Sequence, residues 1–512
     1  MAVSRSVPSS WDDEADVVVV GFGYAGAMTA VAAHDAGATV AILEKMLDPG
    51  GISVCSAGGL RIAADADQAF QYLHATNAGT TPDDVLRRLA QGMTELPDMA
   101  RELAAVNGAV VGVRESPANY PLPGYETFGF VYIDDLPGFD ASSVFPQVRG
   151  SPQGARLFKV MLDNVAKRGI SVRLATPARR LVQDADGAVI GIIAESHGRR
   201  IAIRARRAVV LTTGGFEGDA EMQRQHWQIK PVMSAAFRGN TGDGIRMAQA
   251  AGAQLWHMWH FHGSYGFRHP DPSYPFAIRT KRLPDWLPGK GLREDVRMTW
   301  IVVDRSGRRF MNEYDPYMQD TGHRAMERFD PVTQRYPRIP ATLIIDEEGR
   351  KLYPLGAPTY NERGLSMSWS RDNQAEIQSG VIRRAQSLEE LAERIGSAPS
   401  VLRATVERWN AMCGAGQDDE FGRPPGSMVP IRTPPFYFAE LWPVVSNTQG
   451  GPRHDAEQRV IDAFGQPIPR LYAAGELGSV FGHLYMSGGN LAECFVGGRI
   501  AGRNAASLPA LR

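Results

Sequence analysis

The stretch Asp16-Val-Val-Val-Val-Gly-Phe-Gly-Tyr-Ala-Gly26 decides the fold of this chain. Residues 16–20 form a nearly continuous valine run, which is typical of a parallel strand buried on both faces. An alanine-rich helical stretch, 27–36, follows the glycine-rich turn, and Thr39 to Leu43 predicts a second strand that ends at Glu44. The segment therefore predicts one βαβ unit whose first turn carries the glycines.

The spacing Gly21-x-Gly23-x-x-Gly26 gives each glycine its own task. Gly21 permits the tight turn, Gly23 lets the backbone approach a pyrophosphate, and Gly26 lets helix and strand pack closely. The N-terminus of the helix stabilises the phosphate charge. Glu44 would accept hydrogen bonds from the ribose hydroxyls and repel a 2′-phosphate. In this context the motif predicts a dinucleotide site rather than a turn that binds nothing, but it does not separate FAD from NAD.

Composition excludes several classes of protein. The chain has 512 residues, 43% of them hydrophobic and 22% charged, which excludes wholesale disorder, a collagen-like repeat and a coiled coil. A formal net charge of −1 gives no global basic field, so we expect no nucleic-acid partner. Residues 1–15 have no apolar core after a basic start, and no apolar stretch is long enough for a membrane span. We therefore expect a cytoplasmic protein with no secretory signal.

The three cysteines also restrict the chemistry. No pair of them has the C-x-x-C spacing of a zinc, haem or iron–sulfur site, and three cysteines make no disulfide framework. We expect no metal and a reducing compartment. The cysteines are Cys55, Cys413 and Cys494.

The sequence pattern also predicts helices, strands, a loop and a linker along the chain. Residues 83–107 predict a helix, and 189–195 and 200–204 predict strands. The piece 110–150 is rich in Pro, Gly and aromatic residues and predicts a loop, whereas 423–435 is Pro-rich and predicts a linker.

Four further segments give the chain a family resemblance. With the first motif they resemble the FAD-dependent superfamily of fumarate reductase, succinate dehydrogenase flavoprotein and 3-oxosteroid (ketosteroid) dehydrogenases, the last branch most closely. The resemblance covers nearly the whole chain. The segments are Gly50-Gly51-x-Ser53-x-x-Ser56-Ala57-Gly58-Gly59, Ala208–Phe216, Gly239–Gly244, and Leu471–Glu476 with the later Gly488-Gly489-Asn490.

The resemblance implies an α/β fold. A Rossmann-like FAD-binding domain of the glutathione-reductase type, residues 1–256 and 440–512, would be split by an inserted α+β catalytic or capping domain, residues 257–439. Members that bind FAD covalently carry a His near the second glycine pair, where this chain has Ile52, Val54 and Cys55. The resemblance therefore implies non-covalent FAD. It also implies that the helix after Asn490 aims its N-terminus at the flavin pyrimidine edge.

The same motifs imply a set of cofactor-binding residues. They are Gly21, Gly23, Ala25, Gly26, Glu44, Lys45, Gly51, Ser53, Ser56, Gly58, Gly59, Thr213, Gly214, Asn240, Asp243, Gly475, Glu476, Asn490 and Leu491.

Three positions argue against the dicarboxylate branch. Fumarate reductases hold two carboxylates with Arg and His side chains, because such a substrate needs several cations or donors in a buried site. This chain has Tyr317 and Met486 where the family has Arg, and Asn447 where it has His. Dicarboxylate chemistry is therefore disfavoured.

Two tyrosine motifs resemble the 3-oxosteroid 1-dehydrogenases instead. They are Asn312-Glu-x-x-Pro-Tyr317 and Tyr485-x-x-x-Gly489. The resemblance implies that Tyr317 accepts the α-proton while the Tyr485 hydroxyl and the Gly489 N–H hold the ketone oxygen, an oxyanion-hole role. Hydride then leaves the β-carbon for flavin N5. Ser487 resembles the related 4-(5α)-dehydrogenase branch, and the chain lacks the Pro-Gly-Pro of the 1-dehydrogenases there, so the ring position stays open.

Other candidate residues remain open at this stage. The run Trp256–His262 contains three His, which fit a cavity wall or core better than a metal site. His323 and Asp315 lie near enough in sequence to tune Tyr317. The other candidates are three tyrosines that would cover a substrate and four cationic residues that either face solvent or bind a substrate carboxylate. They are Tyr120, Tyr125, Tyr132, Arg61, Arg279, Lys281 and Arg282.

The leading hypothesis is FAD-dependent α,β-dehydrogenation of a cyclic ketone, with a 3-oxosteroid as the first choice of substrate. A smaller ketone such as 4-oxocyclohexanecarboxylate is the main variant and needs a cation in the pocket. A fumarate- or urocanate-type ene-reductase would run the same chemistry backwards. A flavin module for electron transfer or RNA modification is a third class. The external electron acceptor is open among dioxygen, a quinone and a carrier protein.

Overall fold

A computed structural model describes residues 7–294 and 296–511 of the chain. The first six residues belong to the segment for which we predict no secretory signal and to the predicted FAD-binding domain. They lie outside the described residues.

The helices of the described residues are spread along the chain. In chain order they are α1 (Tyr24–Asp35), α2 (Ala66–Asn77), α3 (Asp83–Ala104), α4 (Ala141–Val144), α5 (Pro152–Lys167), α6 (Ala220–His226), α7 (Asp243–Ala250), α8 (Met318–Thr321), α9 (Glu347–Leu352), α10 (Gln374–Gln378), α11 (Leu388–Ile395), α12 (Pro399–Ala415) and α13 (Gly489–Ser507).

The strands are short except for β10 and β22. They are β1 (Asp13–Val20), β2 (Val40–Leu43), β3 (Leu60–Ala63), β4 (Val110–Glu115), β5 (Phe128–Asp135), β6 (Val148–Arg149), β7 (Ser171–Arg173), β8 (Ala178–Gln183), β9 (Val189–Ser196), β10 (Arg199–Leu211), β11 (Met233–Ser234), β12 (Leu255–Trp256), β13 (Phe261–Arg268), β14 (Ala277–Thr280), β15 (Trp286–Leu287), β16 (Gly291–Leu292), β17 (Ile301–Val303), β18 (Ala341–Ile345), β19 (Gly356–Ala357), β20 (Tyr360–Asn361), β21 (Arg383–Ala385), β22 (Phe436–Thr448), β23 (Gly451–Pro452), β24 (Arg459–Ile461) and β25 (Pro467–Ala473).

The first sheet contains the predicted βαβ unit, which is confirmed. Its order is β24-β25-β10-β1-β2-β7, and β1 pairs in parallel with β2 and β10. Alternate residues of β1 face two different cores, because successive side chains of a strand point to opposite faces. Val17 and Val19 pack with α1 and α13, whereas Val18 and Val20 pack on the side of the second sheet.

The second sheet carries much of the inserted region. Its order is β17-β18-β22-β13-β14-β19, and β11 and β21 also pair with β22. Strand β13 runs antiparallel to β22, with His262 opposite Asn447. Since β11 lies before the predicted limit at 256 yet pairs with β22, which spans the limit at 440, the exact boundaries stay a prediction.

The prediction of a loop over residues 110–150 is wrong in part. Strands β4 and β5 lie within it and form a three-stranded antiparallel sheet with β3. The stretches 116–124 and 136–140 keep the irregular backbone that Pro and Gly favour, and α4 and β6 lie near the end of the segment. The alternation in Phe128–Asp135, which buries Val131 and Ile133, is the signal that the aromatic-rich composition concealed.

Helices α1 and α13 pack at very short range. Gly502 of α13 faces α1, and a Cβ atom placed there would lie 2.3 Å from the carbonyl oxygen of Thr29 and 3.0 Å from the Cβ atom of Ala32. The glycine therefore permits a close approach that no larger residue permits at this spacing. None of the helices in residues 7–294 and 296–511 has both the length and the apolar character needed to span a membrane.

We expect Gly502→Ala to destabilise the fold. The added methyl group forces α1 and α13 apart, and overpacking of this kind costs about 1–3 kcal/mol. The control is Gly414→Ala in α12, where no atom lies within 4 Å of the new methyl group. That change should stabilise by roughly 0.5–1 kcal/mol, since Ala is the better helix former. Chemical denaturation measures both; a stabilising effect of Gly502→Ala would contradict the packing described.

Candidate active site

A groove runs across the C-terminal ends of β1, β2 and β10. The first turn after β1, the end of β2 at Glu44, and the segment Thr212–Gly214 after β10 line it. This is the edge at which parallel α/β sheets bind ligands.

The glycines of the first motif shape this groove. A Cβ atom at Gly26 would lie 2.0 Å from the carbonyl oxygen of Gly21, so α1 meets the turn without room for a side chain. Gly21 has φ +105°, a conformation that favours glycine. A Cβ atom at Gly23 would lie 3.0 Å from the Ser53 hydroxyl, which itself accepts a hydrogen bond from the Tyr24 N–H at 3.2 Å.

Glu44 is buried and ties the turn to the end of β2. Its carboxylate accepts hydrogen bonds from the Phe22 N–H at 2.9 Å and from the Met46 N–H at 2.8 Å. Burial raises the pKa of Glu44 above its ordinary value, although these two N–H groups and the Lys45 charge act in the opposite direction. The carboxylate therefore fixes the position of the glycine turn from behind.

Residues of three other motifs complete the groove. Lys45 pairs with Asp243 at 2.7 Å, and the amide of Asn240 donates to Glu217 at 2.7 Å. The hydroxyl of Thr213 is buried and has no hydrogen-bond partner among the described residues. An unpaired buried hydroxyl on a groove wall is a group that a bound ligand satisfies.

These features fit FAD. The glycine turn leaves room for backbone to meet a pyrophosphate, Glu44 lies at the end of β2, and Thr213 offers an unused hydroxyl. Most of the predicted cofactor residues line this groove or the adjoining cavity. Gly26, Gly58 and Gly475 do not line either, because they pack against backbone or side chains of the surrounding elements.

A second cavity of about 320 Å³ adjoins the groove. Tyr24, Ser53 and Glu476 border both spaces, so the cavity continues the dinucleotide groove toward the second sheet. Its other walls come from β5, β13, β14, the loop before α8 and the start of α13. Its lining includes His262, Arg279, Arg282, Tyr317, Asn447, Tyr485, Ser487, Asn490 and Leu491.

The two predicted tyrosines lie together in this cavity. The rings of Tyr317 and Tyr485 are 6.5 Å apart between centroids and are inclined by 31°. His262 lies between them, with its ring 4.3 Å from that of Tyr485 and its Nε2 atom 3.1 Å from the Tyr317 hydroxyl. Both tyrosines are buried.

The hydrogen bonds around His262 fix its tautomer. Asn490 donates through its side-chain nitrogen to Glu493 at 2.7 Å, so its oxygen is the acceptor for the Asn447 amide at 2.6 Å. The Asn447 oxygen is then left to accept from His262 Nδ1 at 3.0 Å. With the proton on Nδ1, Nε2 of a neutral imidazole is an acceptor, and the Tyr317 hydroxyl donates to it.

Burial governs the acidity of this pair. It lowers the pKa of His262 to about 4, although Asp320 and the Asn447 hydrogen bond act in the opposite direction. It raises the pKa of Tyr317 to about 12, while Arg282 and Ser487 pull it down. Both groups are therefore neutral at pH 7, and the imidazole is free to accept a proton.

Asp320 holds the far side of the pair. It accepts hydrogen bonds from the Tyr120 hydroxyl at 2.7 Å and the Tyr485 N–H at 3.0 Å, and its other oxygen lies 3.4 Å from His260 Nε2. Although burial acts to raise the pKa of Asp320, the hydrogen bond and charge of His260 and the charge of Arg324 lower it well below its ordinary value. An ionised carboxylate thus anchors both tyrosine segments.

Gly489 and Ser487 have different surroundings from each other. The Gly489 N–H donates to the carbonyl oxygen of Met486 at 2.8 Å, and the Tyr485 hydroxyl accepts from the Asn490 N–H at 3.3 Å. A ketone oxygen at Gly489 would have to share that N–H, so its oxyanion role stays a prediction. Ser487 lines the cavity, with its hydroxyl 3.5 Å from Arg282 Nη2.

Some of the remaining predicted site residues line the cavity, and the others lie outside it. Tyr132, Arg279 and Arg282 line the cavity, and Tyr120 meets the Tyr317 ring edge-on at 6.4 Å. Tyr125 lies outside the cavity lining. Arg61 is not a free cation, because it stacks on Phe130 and donates to the Ser487 carbonyl oxygen at 2.7 Å, and Lys281 lies over Tyr353.

His323 does not touch Tyr317. Its Nδ1 atom lies 2.8 Å from the carbonyl oxygen of Gly263, and its ring stacks on Phe261. The residue that does bond Tyr317 is His262, which sequence reasoning assigned only to a wall or core. The signal was present in the run of three His, but Tyr317 lies 55 residues away, and the packing of α8 against β13 brings the two side chains together.

Comparison with known proteins places the chain in a family. A model described as "FAD binding domain" matches residues 16–491, so the chain belongs to this family and is an FAD-dependent oxidoreductase. Digoxin reductase of Eggerthella lenta is 28% identical over 97% of this chain and 88% of its own length. 4-Oxocyclohexanecarboxylate 2-dehydrogenase of Sinomonas cyclohexanicum is 30% identical over 90% of this chain and 87% of its own length.

A solved structure confirms the predicted fold class. The 3-ketosteroid Δ1-dehydrogenase of Sterolibacterium denitrificans, in complex with 1,4-androstadiene-3,17-dione, superposes with a TM-score of 0.80. It is 24% identical and covers 97% of this chain and 100% of the other. The predicted resemblance and the FAD cofactor are confirmed, and the relatives include both dehydrogenases and reductases.

We expect Glu44→Ala to weaken FAD binding. It leaves the Phe22 and Met46 N–H groups without their acceptor, and each such loss costs about 1–3 kcal/mol. The dissociation constant for FAD should rise at least about tenfold. Flavin fluorescence on titration of apoprotein measures it, with exposed Glu348→Ala as the control. Unchanged FAD affinity in Glu44→Ala would contradict the role given to this carboxylate.

Proposed function

We propose that the protein catalyses FAD-dependent α,β-dehydrogenation of a cyclic ketone. The observation that carries the proposal is the hydrogen bond from the buried Tyr317 hydroxyl to a neutral His262 beside Tyr485. Bound FAD would supply the acceptor for the hydride that leaves the β-carbon. The candidate substrates are those that the sequence predicts, a 3-oxosteroid or a smaller ketone such as 4-oxocyclohexanecarboxylate.

In this proposal Tyr485 holds the carbonyl oxygen. Its hydroxyl donates to the ketone and stabilises the enolate charge that develops as the α-proton leaves. Burial raises the pKa of Tyr485 well above its ordinary value, so the hydroxyl keeps its proton and remains a donor. The Gly489 N–H would be the second donor once it turns from Met486, and Ser487 completes the same wall.

Tyr317 takes the α-proton and passes its own proton to His262. Ionising Tyr317 into water at pH 7 first would cost about 7 kcal/mol for a pKa near 12. Transfer through the pair avoids free tyrosinate, because Tyr317 passes its own proton to His262 as it takes the α-proton. Tyr317 is therefore neutral before and after the transfer.

The reverse reaction is the second candidate. The reductases among the relatives, digoxin reductase for one, support the reductive direction. In that direction the same pair would deliver a proton to the α-carbon. The neutral state of His262 favours the accepting role at pH 7, since an imidazole with a pKa near 4 holds little proton to give.

We expect Tyr317→Phe to abolish most of the flavin reduction. Loss of a positioned proton acceptor slows such a step by about 10²–10⁴-fold. Anaerobic stopped-flow mixing of holoenzyme with a cyclic ketone measures the rate, and FAD content should be unchanged. Tyr132→Phe, in the same cavity, is the matched control and should retain the rate. A Tyr317→Phe rate within twofold of wild type would remove this assignment.

The pH profile tests the relay itself. In the wild type the rate should fall as pH drops through about 4, where His262 becomes protonated, and stay level across neutral pH. In His262→Gln the only base left is tyrosinate, whose pKa lies near 12. The rate should then rise about tenfold per pH unit between pH 6 and 10.

Buried His323→Gln, which does not contact Tyr317, serves as the control for His262→Gln. It should keep the wild-type profile. Identical profiles for wild type and His262→Gln would show that the imidazole acts only in packing.

A further inference from the structure

Two arginines line the cavity that holds Tyr317 and Tyr485. Arg279 is on β14, and Arg282 follows two residues after that strand ends. The dinucleotide groove does not include either of them among the residues that form its walls. Their charges therefore face the space beyond the groove, where a substrate would lie.

Arg279 has no counter-charge. It forms no hydrogen bond or ion pair with another described residue, and its Nε atom is buried without a partner. Burial lowers the pKa of Arg279 below its ordinary value, and the positive charge of Arg282 acts in the same direction. The side chain is half-buried, and a guanidinium on a cavity wall without a counter-charge is stabilised when an anion binds beside it.

Arg282 is only partly compensated. Its Nη2 atom lies 3.5 Å from the Ser487 hydroxyl and 3.7 Å from Asp285. Asp285 also lies 3.9 Å from Arg293 and accepts the Asn119 amide at 2.9 Å, so several groups share its charge. The Arg282 side chain is 46% exposed, and it is among the residues that border the cavity.

The size of the cavity is compatible with a small ligand. Its volume of about 320 Å³ is at the small end of ligand pockets, and residues shared with the dinucleotide groove border it. A single ring with one anionic substituent fits a cavity of this volume.

We propose that the substrate is a small cyclic ketone that carries a carboxylate, which Arg279 and Arg282 bind. This inference rests on the proposed function for the ketone end of the molecule. Two guanidinium groups offer the fork of N–H donors that matches a carboxylate, and the ligand supplies the missing negative charge. The family has Arg where this chain has Tyr317 and Met486. In this proposal Arg279 on β14 and Arg282 just after that strand supply the positive charge instead.

The first test needs no variant. Oxidised holoenzyme is titrated with cyclohexanecarboxylate and, separately, with its neutral methyl ester, and the perturbation of the flavin absorbance is followed. Neither compound has a ketone, so binding is measured apart from turnover. We expect the acid to bind at least about tenfold more tightly than the ester, as a charge-assisted hydrogen bond requires. Equal affinities would overturn the proposal.

The second test uses three variants of the same strand region. Arg279→Gln should weaken the acid at least about tenfold and leave the ester unchanged, and Arg279→Lys should recover part of the loss. Lys281→Gln removes the same charge from a residue that lies over Tyr353, outside the cavity, and should have no effect. An equal loss in Arg279→Gln and Lys281→Gln would overturn the subsite.

Turnover separates this inference from the proposed function. Flavin reduction by 4-oxocyclohexanecarboxylate but not by cyclohexanone or a neutral 3-oxosteroid would support both. Reduction by neutral ketones with no gain from a carboxylate would keep the proposed function and overturn the arginine subsite. Arginine-dependent binding of the acid without reduction by any ketone would keep the subsite and remove the dehydrogenase.

Discussion

The candidate site depends on one chain of hydrogen bonds that runs from the start of α13 to the Tyr317 oxygen. Asn490 orients Asn447, the Asn447 oxygen accepts a hydrogen bond from the Nδ1–H of His262, and Nε2 is left to accept from Tyr317. The chain crosses from α13 to β22, then to β13, and ends in the loop before α8. Each donor in this chain is assigned by the one before it. Asn490 therefore sets which nitrogen of His262 carries the proton.

Neutral and charged groups share this cavity. Burial keeps Tyr317 and His262 neutral, which suits a relay that passes one proton and leaves no charge on the tyrosine. Arg279 lines the same cavity without a counter-charge among the described residues, which suits an anionic substituent. A substrate bound there would be oriented by its carboxylate and activated through its carbonyl.

The sequence determines the first half of this account well. Residues 16–44 contain a valine run typical of a buried strand, the glycine spacing of the first turn, and an acidic residue at the end of the second strand. Each of these features indicates the same βαβ unit. The cavity is different, because its contacts join residues far apart in the chain. Nothing local indicates that His262 meets Asn447 across two strands, or that Arg279 lines a cavity with its Nε atom buried and without a partner among the described residues. Burial and strand register decide both, and neither can be read from residue type.

The most direct test of the central claim is anaerobic mixing of oxidised holoenzyme with a cyclic ketone deuterated at the carbon next to the carbonyl. The account predicts loss of flavin absorbance that is slower with deuterium than with hydrogen, because Tyr317 removes that atom as the flavin is reduced. No loss of absorbance with any cyclic ketone, together with rapid reoxidation of dye-reduced enzyme by fumarate or another activated alkene, would contradict it.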